Sequence, residues 1–477
     1  MDAIGRAMKW TLEPRERAVY ARYARLALPR HTSYPSVPVW DQRFSAAALR
    51  GHLAPLARDG APVSVYVHVP FCERLCYFCA CTREIVPPAR RQRERPVRDY
   101  LDHLRREVDL YRRLRRTWSV AQLHFGGGSP TFLEPAELEE LVGILREVFV
   151  LLPDAEFAVE IDPRHTTSAH LRTLAAAGVN RLSLGIQDFD VRVQTLVNRV
   201  QPYQLVRDVV AECRGLGFAA LNFDLIYGLP AQTPGTMART LEQVLALRPD
   251  RIAFYRLAVI PEMFRWQNRF AAEDLPDSDT LLELFLLAGA TLTAAGYEFI
   301  GLDHFALPEE ALARAYRHGT LRRNFQGMST GAGLPILGLG PSAISQLPVC
   351  YAQNHKTSAE WALHLTQGWP IVRGIELDRE DRARREVLQH LYCYGRVDLS
   401  QVAAAFGFEA ETLFADEIAR LDELVGDGLI DRDGNQWRLT EPLGRLLVRV
   451  VAAVFDRYLP PLAYRQGLPP HMASRVG

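Results

Sequence analysis

The sequence predicts an α/β protein in which a partial (β/α)6 barrel carries an N-terminal arm and a C-terminal winged-helix-like helical domain. Two observations lead to this fold class. Six short apolar runs alternate with stretches of helical periodicity, and the character of the chain changes after about residue 375. The 477 residues are enough for two or three domains with a large buried core.

Six runs rich in β-branched and aromatic residues predict six strands. They cover residues 64–71, 122–128, 157–163, 181–187, 220–230 and 251–258. The stretches between them, such as "RDYLDHLRREVDLYRRL", place apolar residues at helical spacing. This alternation predicts a parallel sheet, with an open doubly wound sheet as the alternative to a barrel. In a barrel, the chemistry lies at the carboxyl ends of the strands.

The C-terminal part, residues 375–477, predicts three helices, a hairpin with "DGN" at its turn, and a long helix. This order is typical of a winged-helix module. Its third helix is acidic and no basic stripe is present, so we expect a packing or lid domain and no nucleic-acid partner. The rest of the chain is expected to divide into an N-terminal arm (1–60), the barrel (61–310) and a connecting segment that completes the cofactor and substrate site (311–374).

Charge and hydropathy exclude several classes of protein. Lys plus Arg equals Asp plus Glu, 56 each, so nothing favours nucleic acid or an acidic membrane as partner. The N-terminal residues lack the apolar core of a signal peptide, and the apolar run at 281–301 is too short and carries two glutamates. We therefore expect a cytoplasmic protein with reduced thiols, in which Cys213, Cys350 and Cys393 are packing residues.

Four of the seven cysteines lie close together in "VPFCERLCYFCACTREI", as Cys72, Cys76, Cys79 and Cys81. A structural zinc site would need a second ligand pair, which the sequence lacks. A thioredoxin-type redox site would use Cys76 and Cys79 and leave the others unexplained. An iron–sulfur cluster explains a compact loop, and three ligands leave a fourth iron open for a small molecule. The sequence therefore favours a catalytic iron–sulfur cluster.

Polar and glycine residues follow the other predicted strands. The glycines at 126–128 let the backbone approach a ligand without a Cβ clash. Glu160, Gln187 and Asp224 offer acceptors for an ammonium group and for ribose hydroxyls, and Arg199 offers a fork for a carboxylate. Their shared position at one barrel mouth indicates a binding site.

The C-x3-C-x2-C spacing, with Phe78 before the third cysteine, resembles the radical S-adenosylmethionine superfamily. The resemblance implies a radical SAM barrel in which Cys72, Cys76 and Cys79 hold one 4Fe–4S cluster. It also implies that the open iron binds S-adenosylmethionine, which is split to a 5′-deoxyadenosyl radical.

Further motifs resemble the oxygen-independent coproporphyrinogen III oxidase family over nearly the whole chain. They include "RHTSYPS", "HFGGGSPT", "EIDPR", "DLIYGLPAQTP" and "RNFQG". The resemblance implies oxidative decarboxylation of two propionates of coproporphyrinogen III to vinyl groups, giving protoporphyrinogen IX for haem biosynthesis. One S-adenosylmethionine is consumed per propionate, and two are bound at once.

The same resemblance implies individual residue roles. Cys81 and Tyr66 would be catalytic, and Cys81 would not bind the cluster. The cofactor sites would involve Tyr66, Phe78, Gly127, Gly128, Ser129, Glu160, Gln187, Arg199, Asp224, Ala258, Phe325, Gln326 and Ile344. We also expect a flavodoxin- or ferredoxin-like electron donor, a separate electron acceptor and a monomeric chain.

A tetrapyrrole with four carboxylates would require basic side chains around a roomy cleft. The candidates are Arg30, His31, Arg256, Arg322, Arg323 and His304. The chain departs from the family's pattern at His31, Arg256, Val259 and Met328, all near the expected substrate and second-cofactor side. Three alternatives therefore stay open: a two-cofactor radical methyltransferase, cyclopropanase or haem-ring-opening enzyme; a haem-binding protein; and a DNA-binding regulator.

Overall fold

Six parallel strands form the centre of a twelve-stranded sheet in the computed structural model, which describes residues 8–331, 333–469 and 473–476. In chain order they are β1 (Val63–Val69), β2 (Trp118–Gly127), β3 (Phe149–Ile161), β4 (Arg181–Gln187), β5 (Ala220–Tyr227) and β6 (Arg251–Arg256). Each neighbouring pair is parallel. All six carboxyl ends therefore lie at one edge, as the predicted fold class requires.

Helices connect these strands and cover the sheet. They are Pro88–Glu94, Pro96–Leu114, Pro135–Arg146, Ser168–Ala176, Val191–Leu196, Tyr203–Gly215, Pro234–Leu247 and Ser278–Ala294, with 3-10 turns at Arg265–Arg269 and Ala272–Asp274 and a further one at Pro130–Phe132. Helix Pro96–Leu114 buries Val97, Leu101, Leu104 and Val108, which recur at helical spacing, against the sheet. The predicted alternation of strand and helix is confirmed.

The sheet extends beyond the six predicted strands at both edges. Next to β1 come Ile336–Leu339, which is parallel to it, and then the antiparallel strands Ile344–Leu347, Cys350–Asn354 and Ile371–Glu376. Next to β6 come the antiparallel strands His304–Ala306 and Glu298–Gly301. The same segments contain a hairpin (Arg322–Asn324 with Gly327–Ser329) and the helices Ala311–Arg317 and Ser358–Leu365. The predicted bounds at 60, 310 and 374 stay predictions.

The two ends of the chain pack together. The N-terminal segment has helices Pro14–Ala24 and Ala46–Asp59 and a 3-10 turn, Val37–Val39. Tyr23 and Leu28 from this segment share a core with Tyr392 and Val450. The arm is thus fixed on the C-terminal part, beside the barrel.

The C-terminal part has the outline of a winged helix. Its helices are Arg379–Tyr394, Leu399–Ala405, Ala410–Leu413, Ala415–Gly426, Leu443–Leu446, Val448–Val454 and Ala463–Gln466, and its small sheet joins Arg396–Asp398 to the hairpin Ile430–Asp433 and Gln436–Leu439. The prediction is wrong in two respects. Four helices rather than three precede the hairpin, and the long helix expected after it is two short helices, because Leu447 leaves helical geometry at φ −103° and ψ 21°.

Two smaller expectations can be compared with the structure. Cys213, Cys350 and Cys393 are all buried, and the first two belong to the main apolar core, which is what a packing role requires. Within the described ranges, no helix combines the length and the apolar character needed to cross a bilayer.

Candidate functional site

A cavity of about 510 Å³ opens at the carboxyl ends of the six parallel strands. All four clustered cysteines line it, and of these Cys76 is buried whereas Cys81 is exposed. The cavity is also lined by most of the predicted cofactor residues, namely Phe78, Gly127, Gly128, Ser129, Glu160, Gln187, Arg199, Asp224, Ala258 and Gln326. The structure therefore brings together residues that lie far apart in the sequence.

Three predicted residues are not part of this lining. The Tyr66 ring stacks on His124, a lining residue, and meets Phe325 edge to face, so Tyr66 lies next to the lining and Phe325 lies next to Tyr66. The Tyr66 hydroxyl is 3.0 Å from Nδ1 of His68. Ile344 instead packs against a separate cluster around Trp40, and its predicted contact with a cofactor stays a prediction.

The cysteine loop is closed at its base and held from the side. The short strands Phe71–Cys72 and Glu84–Ile85 pair in parallel across the base of the loop. Asn198 donates its side-chain amide to the Leu75 carbonyl at 2.8 Å, and the Tyr77 N–H donates to the Val197 carbonyl at 3.0 Å. These bonds fix the loop backbone relative to the segment that follows β4.

Two guanidinium groups face the buried thiol of Cys76. Arg164 Nη2 lies 3.6 Å and Arg199 Nη1 lies 3.5 Å from its Sγ. Asp162 Oδ2 accepts from both, at 2.6 and 3.1 Å, and the two arginines lower the pKa of Asp162 far below its ordinary value although burial opposes this. One shared carboxylate therefore holds both guanidinium groups at the Cys76 sulfur.

Asp162 and Arg164 were missed as site residues. Both belong to the "EIDPR" stretch, directly after β3. Their position at a strand end was the available signal, but the contact of Arg164 with Cys76 spans 88 positions, and that of Asp162 with Arg199 spans 37, so neither follows from local pattern.

The three thiols of Cys72, Cys76 and Cys79 fit an iron–sulfur cluster. Burial raises the pKa of Cys72 to about 12, whereas a hydrogen bond from the Cys81 thiol lowers that of Cys79 to about 6. In the part of the chain that is described, no three Cys, His, Asp or Glu side chains converge on one metal-ion position. A cubane cluster does not require this, because each thiolate binds a different iron atom.

The glycine run makes a close backbone approach possible. A Cβ on Gly128 would lie 2.6 Å from the Phe71 carbonyl oxygen, and a Cβ on Gly127 would lie 2.7 Å from the His68 ring. Gly127 also has φ +114°, which side chains disfavour. Only glycine therefore fits where β2 meets the cysteine loop.

The two carboxylates at the cavity have different protonation preferences. Burial opposes ionisation of Glu160, but its hydrogen bond and charge interaction with His124 Nε2, at 3.1 Å, lower its pKa overall. Burial and the charge of Glu160 raise the pKa of Asp224 to about 6. Asp224 accepts from Ser183 Oγ and Asn222 Nδ2, both at 2.9 Å. Glu160 is therefore ionised at neutral pH, whereas the charge of Asp224 changes near pH 6. A cation in this region would meet one constant and one pH-dependent negative charge.

Several buried polar atoms of this wall have no hydrogen-bond partner among the described residues. They include Gln187 Oε1, Asn222 Oδ1 and Gln326 Nε2. Gln187 also adopts φ 67°, an uncommon backbone conformation for this residue type. Buried polar atoms are rarely left unsatisfied, so these atoms fit a site that receives a polar ligand.

Three of the six basic candidates for the substrate line the cavity: Arg30, Arg256 and His304. The departures from the family's pattern are distributed unevenly. Arg256 and Met328 line the cavity, whereas Val259 is exposed. The first two therefore lie where a substrate would contact them.

The other three basic candidates lie elsewhere. His31 is buried, with Nε2 3.0 Å from an oxygen of Asp456. Arg322 forms an ion pair with Glu386 at 2.7 Å. Arg322 and Arg323 line an adjoining cavity of about 200 Å³, which shares Ser64, Gln122 and Ser329 with the main one.

Comparisons with known proteins agree with this site. The family model described as the Radical SAM superfamily matches residues 66–244, which include the cysteine loop, and the model of the HemN C-terminal domain matches residues 377–447. A solved structure from Escherichia coli, described as coproporphyrinogen III oxidase (HemN), a radical SAM enzyme, matches with a TM-score of 0.87 and 37% identity. The match covers 95% of this chain and all of that one.

Two curated relatives are similar over nearly their whole length. The oxygen-independent coproporphyrinogen III oxidase of Pseudomonas aeruginosa is 42% identical over 441 residues, which cover 92% of this chain and 95% of that protein. The protein of the same name from Escherichia coli is 40% identical over 433 residues, with 90% and 93% covered. The chain belongs to the oxygen-independent coproporphyrinogen III oxidase family of radical SAM enzymes.

Proposed function

We propose that this chain oxidatively decarboxylates two propionate side chains of coproporphyrinogen III to vinyl groups and so gives protoporphyrinogen IX. The observation that carries this proposal is the cavity of about 510 Å³ at the barrel mouth. Its wall combines the cysteine loop with basic side chains, including Arg30 and Arg256, that suit a substrate rich in carboxylates. Whole-length relatives named for this activity support the same assignment.

Cys72, Cys76 and Cys79 would hold the 4Fe–4S cluster. When bound, the cluster and S-adenosylmethionine supply a 5′-deoxyadenosyl radical that takes a hydrogen atom from a propionate. Arg164 and Arg199 lie 3.6 and 3.5 Å from the Cys76 sulfur. The guanidinium of Arg199 also donates to Asp162 and to the Gly185 carbonyl, so we assign Arg199 to positioning the loop.

The remaining cavity residues would bind two S-adenosylmethionine molecules. Glu160, whose pKa is lowered, offers an ionised carboxylate to an amino group, and Gln187 and Asp224 offer acceptors to ribose hydroxyls. Phe325 and Gln326 would contact the second molecule. We assign catalytic roles to Cys81, which is exposed in the cavity, and to Tyr66, which stacks on His124 of the cavity lining.

The electron partners are part of the proposal. A flavodoxin- or ferredoxin-like donor would reduce the cluster, and an external acceptor would take the electron left on the substrate. We propose a monomer that works in a reducing cytoplasm, since a cysteine loop of this kind is readily oxidised. The neutral overall charge fits a protein that binds neither nucleic acid nor an acidic surface.

The test is product analysis after anaerobic reconstitution with iron and sulfide. The protein receives S-adenosylmethionine, dithionite, an electron acceptor and coproporphyrinogen III, and the products are identified by mass spectrometry. We expect a divinyl product that has lost two carboxyl groups. A methylated or cyclopropanated product, or ring cleavage when haem replaces coproporphyrinogen III, would instead establish the alternative two-cofactor reaction, for which the departures at Arg256 and Met328 leave room.

A further inference from the structure

A second, smaller cavity of about 50 Å³ adjoins the main one. Arg30 and Arg256 line both cavities, and Arg449 lines the smaller one. A volume of this size holds one or two water molecules or one carboxylate group, since a water molecule in the liquid takes roughly 30 Å³. A chemical group on a ligand in the main cavity could therefore enter it between Arg30 and Arg256.

Three guanidinium groups, Arg30, Arg256 and Arg449, line this small cavity together with one carboxylate, Asp303, so positive charge is in excess there. The Nη1 atom of Arg256 is buried and has no hydrogen-bond partner in the described residues. The carboxylate of Asp303 also lines the cavity, but it is bound to His304 Nδ1 at 2.6 Å. Burial, together with repulsion from Arg30, lowers the pKa of Arg256, and the same causes lower that of Arg449 to about 9.

Three distant segments build this arrangement. Arg449 donates to the backbone carbonyls of Leu28, of Pro29 at 3.2 Å and of Arg475 at 2.6 Å, and so fixes the backbone next to Arg30. Arg30 Nη2 in turn donates to the Arg256 carbonyl at 2.9 Å. These hydrogen bonds hold the guanidinium groups of Arg30, Arg256 and Arg449 close together. Their mutual repulsion is unfavourable unless a further anion binds between them.

We propose that Arg30, Arg256 and Arg449 form a carboxylate subsite that binds one propionate of the tetrapyrrole. Arg256 is the principal donor because its free N–H groups can form paired hydrogen bonds with a carboxylate. Arg449 contributes its charge and holds Arg30 in place. This inference rests on the proposed function, because that function supplies a ligand with several carboxylates.

The test compares ligand binding by wild-type and Arg256→Gln holoenzyme under anaerobic conditions. Binding of coproporphyrin III and of its tetramethyl ester, which has no free carboxylate, is followed by fluorescence titration. We expect Arg256→Gln to weaken binding of the free acid roughly tenfold to hundredfold and to leave binding of the ester unchanged. Arg256→Lys, which keeps the charge but not the fork, should retain part of the affinity.

Thermal stability separates a subsite from a structural role. No hydrogen bond from the Arg256 side chain is present in the described structure, so Arg256→Gln should keep or raise the Tm of the ligand-free protein. Arg207→Gln, at an exposed pair with Asp208, is the matched control and should change neither affinity nor Tm by much.

Three results would overturn the subsite. These are an unchanged affinity of Arg256→Gln for the free acid, an equal loss for acid and ester, and a fall in Tm that accompanies the loss of affinity. Failure of the proposed function is a different result, because in that case the wild-type protein would itself neither bind coproporphyrin III nor yield the divinyl product.

Discussion

Two groups of charged side chains at the main cavity, one around Cys76 and one around Arg256, differ in how far the protein pairs them. On the cysteine side, Asp162 binds both Arg164 and Arg199, and both arginines reach the Cys76 sulfur. On the side of β6, Arg256 has a buried N–H group with no partner among the described residues. The first side is organised before any ligand arrives, whereas the second favours a ligand that brings negative charge.

This difference predicts which substitutions disrupt the site and which change only its ligand affinity. Buried charges that are already paired are costly to disturb, because removal of one partner leaves the other uncompensated. Buried charges that lack partners lower stability, and their removal can stabilise the free protein while it weakens ligand binding.

The largest effect is expected for Cys76→Ser. The hydroxyl cannot replace a thiolate as an iron ligand, so the reconstituted protein should lose most of its cluster and all measurable turnover. Iron and sulfide content and visible absorption measure the cluster. Cys213→Ala, at a buried thiol of the main core, is the control and should keep the cluster. Wild-type iron content in Cys76→Ser would contradict the assignment of the loop.

Asp162→Ala should lower the free energy of unfolding by about 3 kcal/mol, since it leaves two buried or half-buried guanidinium groups without their carboxylate. It should also reduce cluster retention, because Arg164 and Arg199 lose their shared anchor. Chemical denaturation and iron content measure the two effects. Unchanged stability together with unchanged iron content would show that the charge network does not organise this side.

Asp224→Asn should stabilise the ligand-free protein at about pH 8, by at most roughly 3 kcal/mol. The folded pKa of Asp224, about 6, lies above the ordinary value of roughly 4, so ionised Asp224 costs stability above pH 6 and nothing below pH 4. The gain should therefore shrink as the pH falls towards 5. The same variant should bind S-adenosylmethionine more weakly. A loss of stability at both pH values would contradict the cause given for the pKa shift.

The smallest effect is expected for Arg322→Gln. Arg322 and Glu386 form a half-buried ion pair away from the main cavity, so the cost in stability should be about 1 kcal/mol or less. The KM for coproporphyrinogen III should stay at the wild-type value. A large rise in KM would show that the substrate extends into the adjoining cavity lined by Arg322 and that the description of the site is incomplete.

Local patterns predicted the parts of the molecule that depend on local sequence. The six parallel strands and their helices follow from apolar periodicity, and the cysteine loop follows from its spacing. The strands between residues 298 and 376 were not predicted, since they are short and flanked by irregular segments. Their positions depend on pairing with β1 and β6 rather than on their own composition.

Long-range charge contacts were beyond the reach of sequence patterns. The bonds between Arg449 and the backbone of Leu28 and Pro29 join residues more than 400 positions apart. In the same way, the sequence offered Arg322 and Arg30 as equal candidates for the substrate, and only the fold separates the ion-paired side chain from the one at the cavity.

The central claim is that the radical source held by the cysteine loop and the tetrapyrrole meet in one cavity. Its most direct test is transfer of deuterium from coproporphyrinogen III, labelled at the propionate carbons next to the ring, to 5′-deoxyadenosine. We predict that each 5′-deoxyadenosine released during turnover carries deuterium and that two are released per divinyl product. Release of unlabelled 5′-deoxyadenosine while the divinyl product forms would contradict the account.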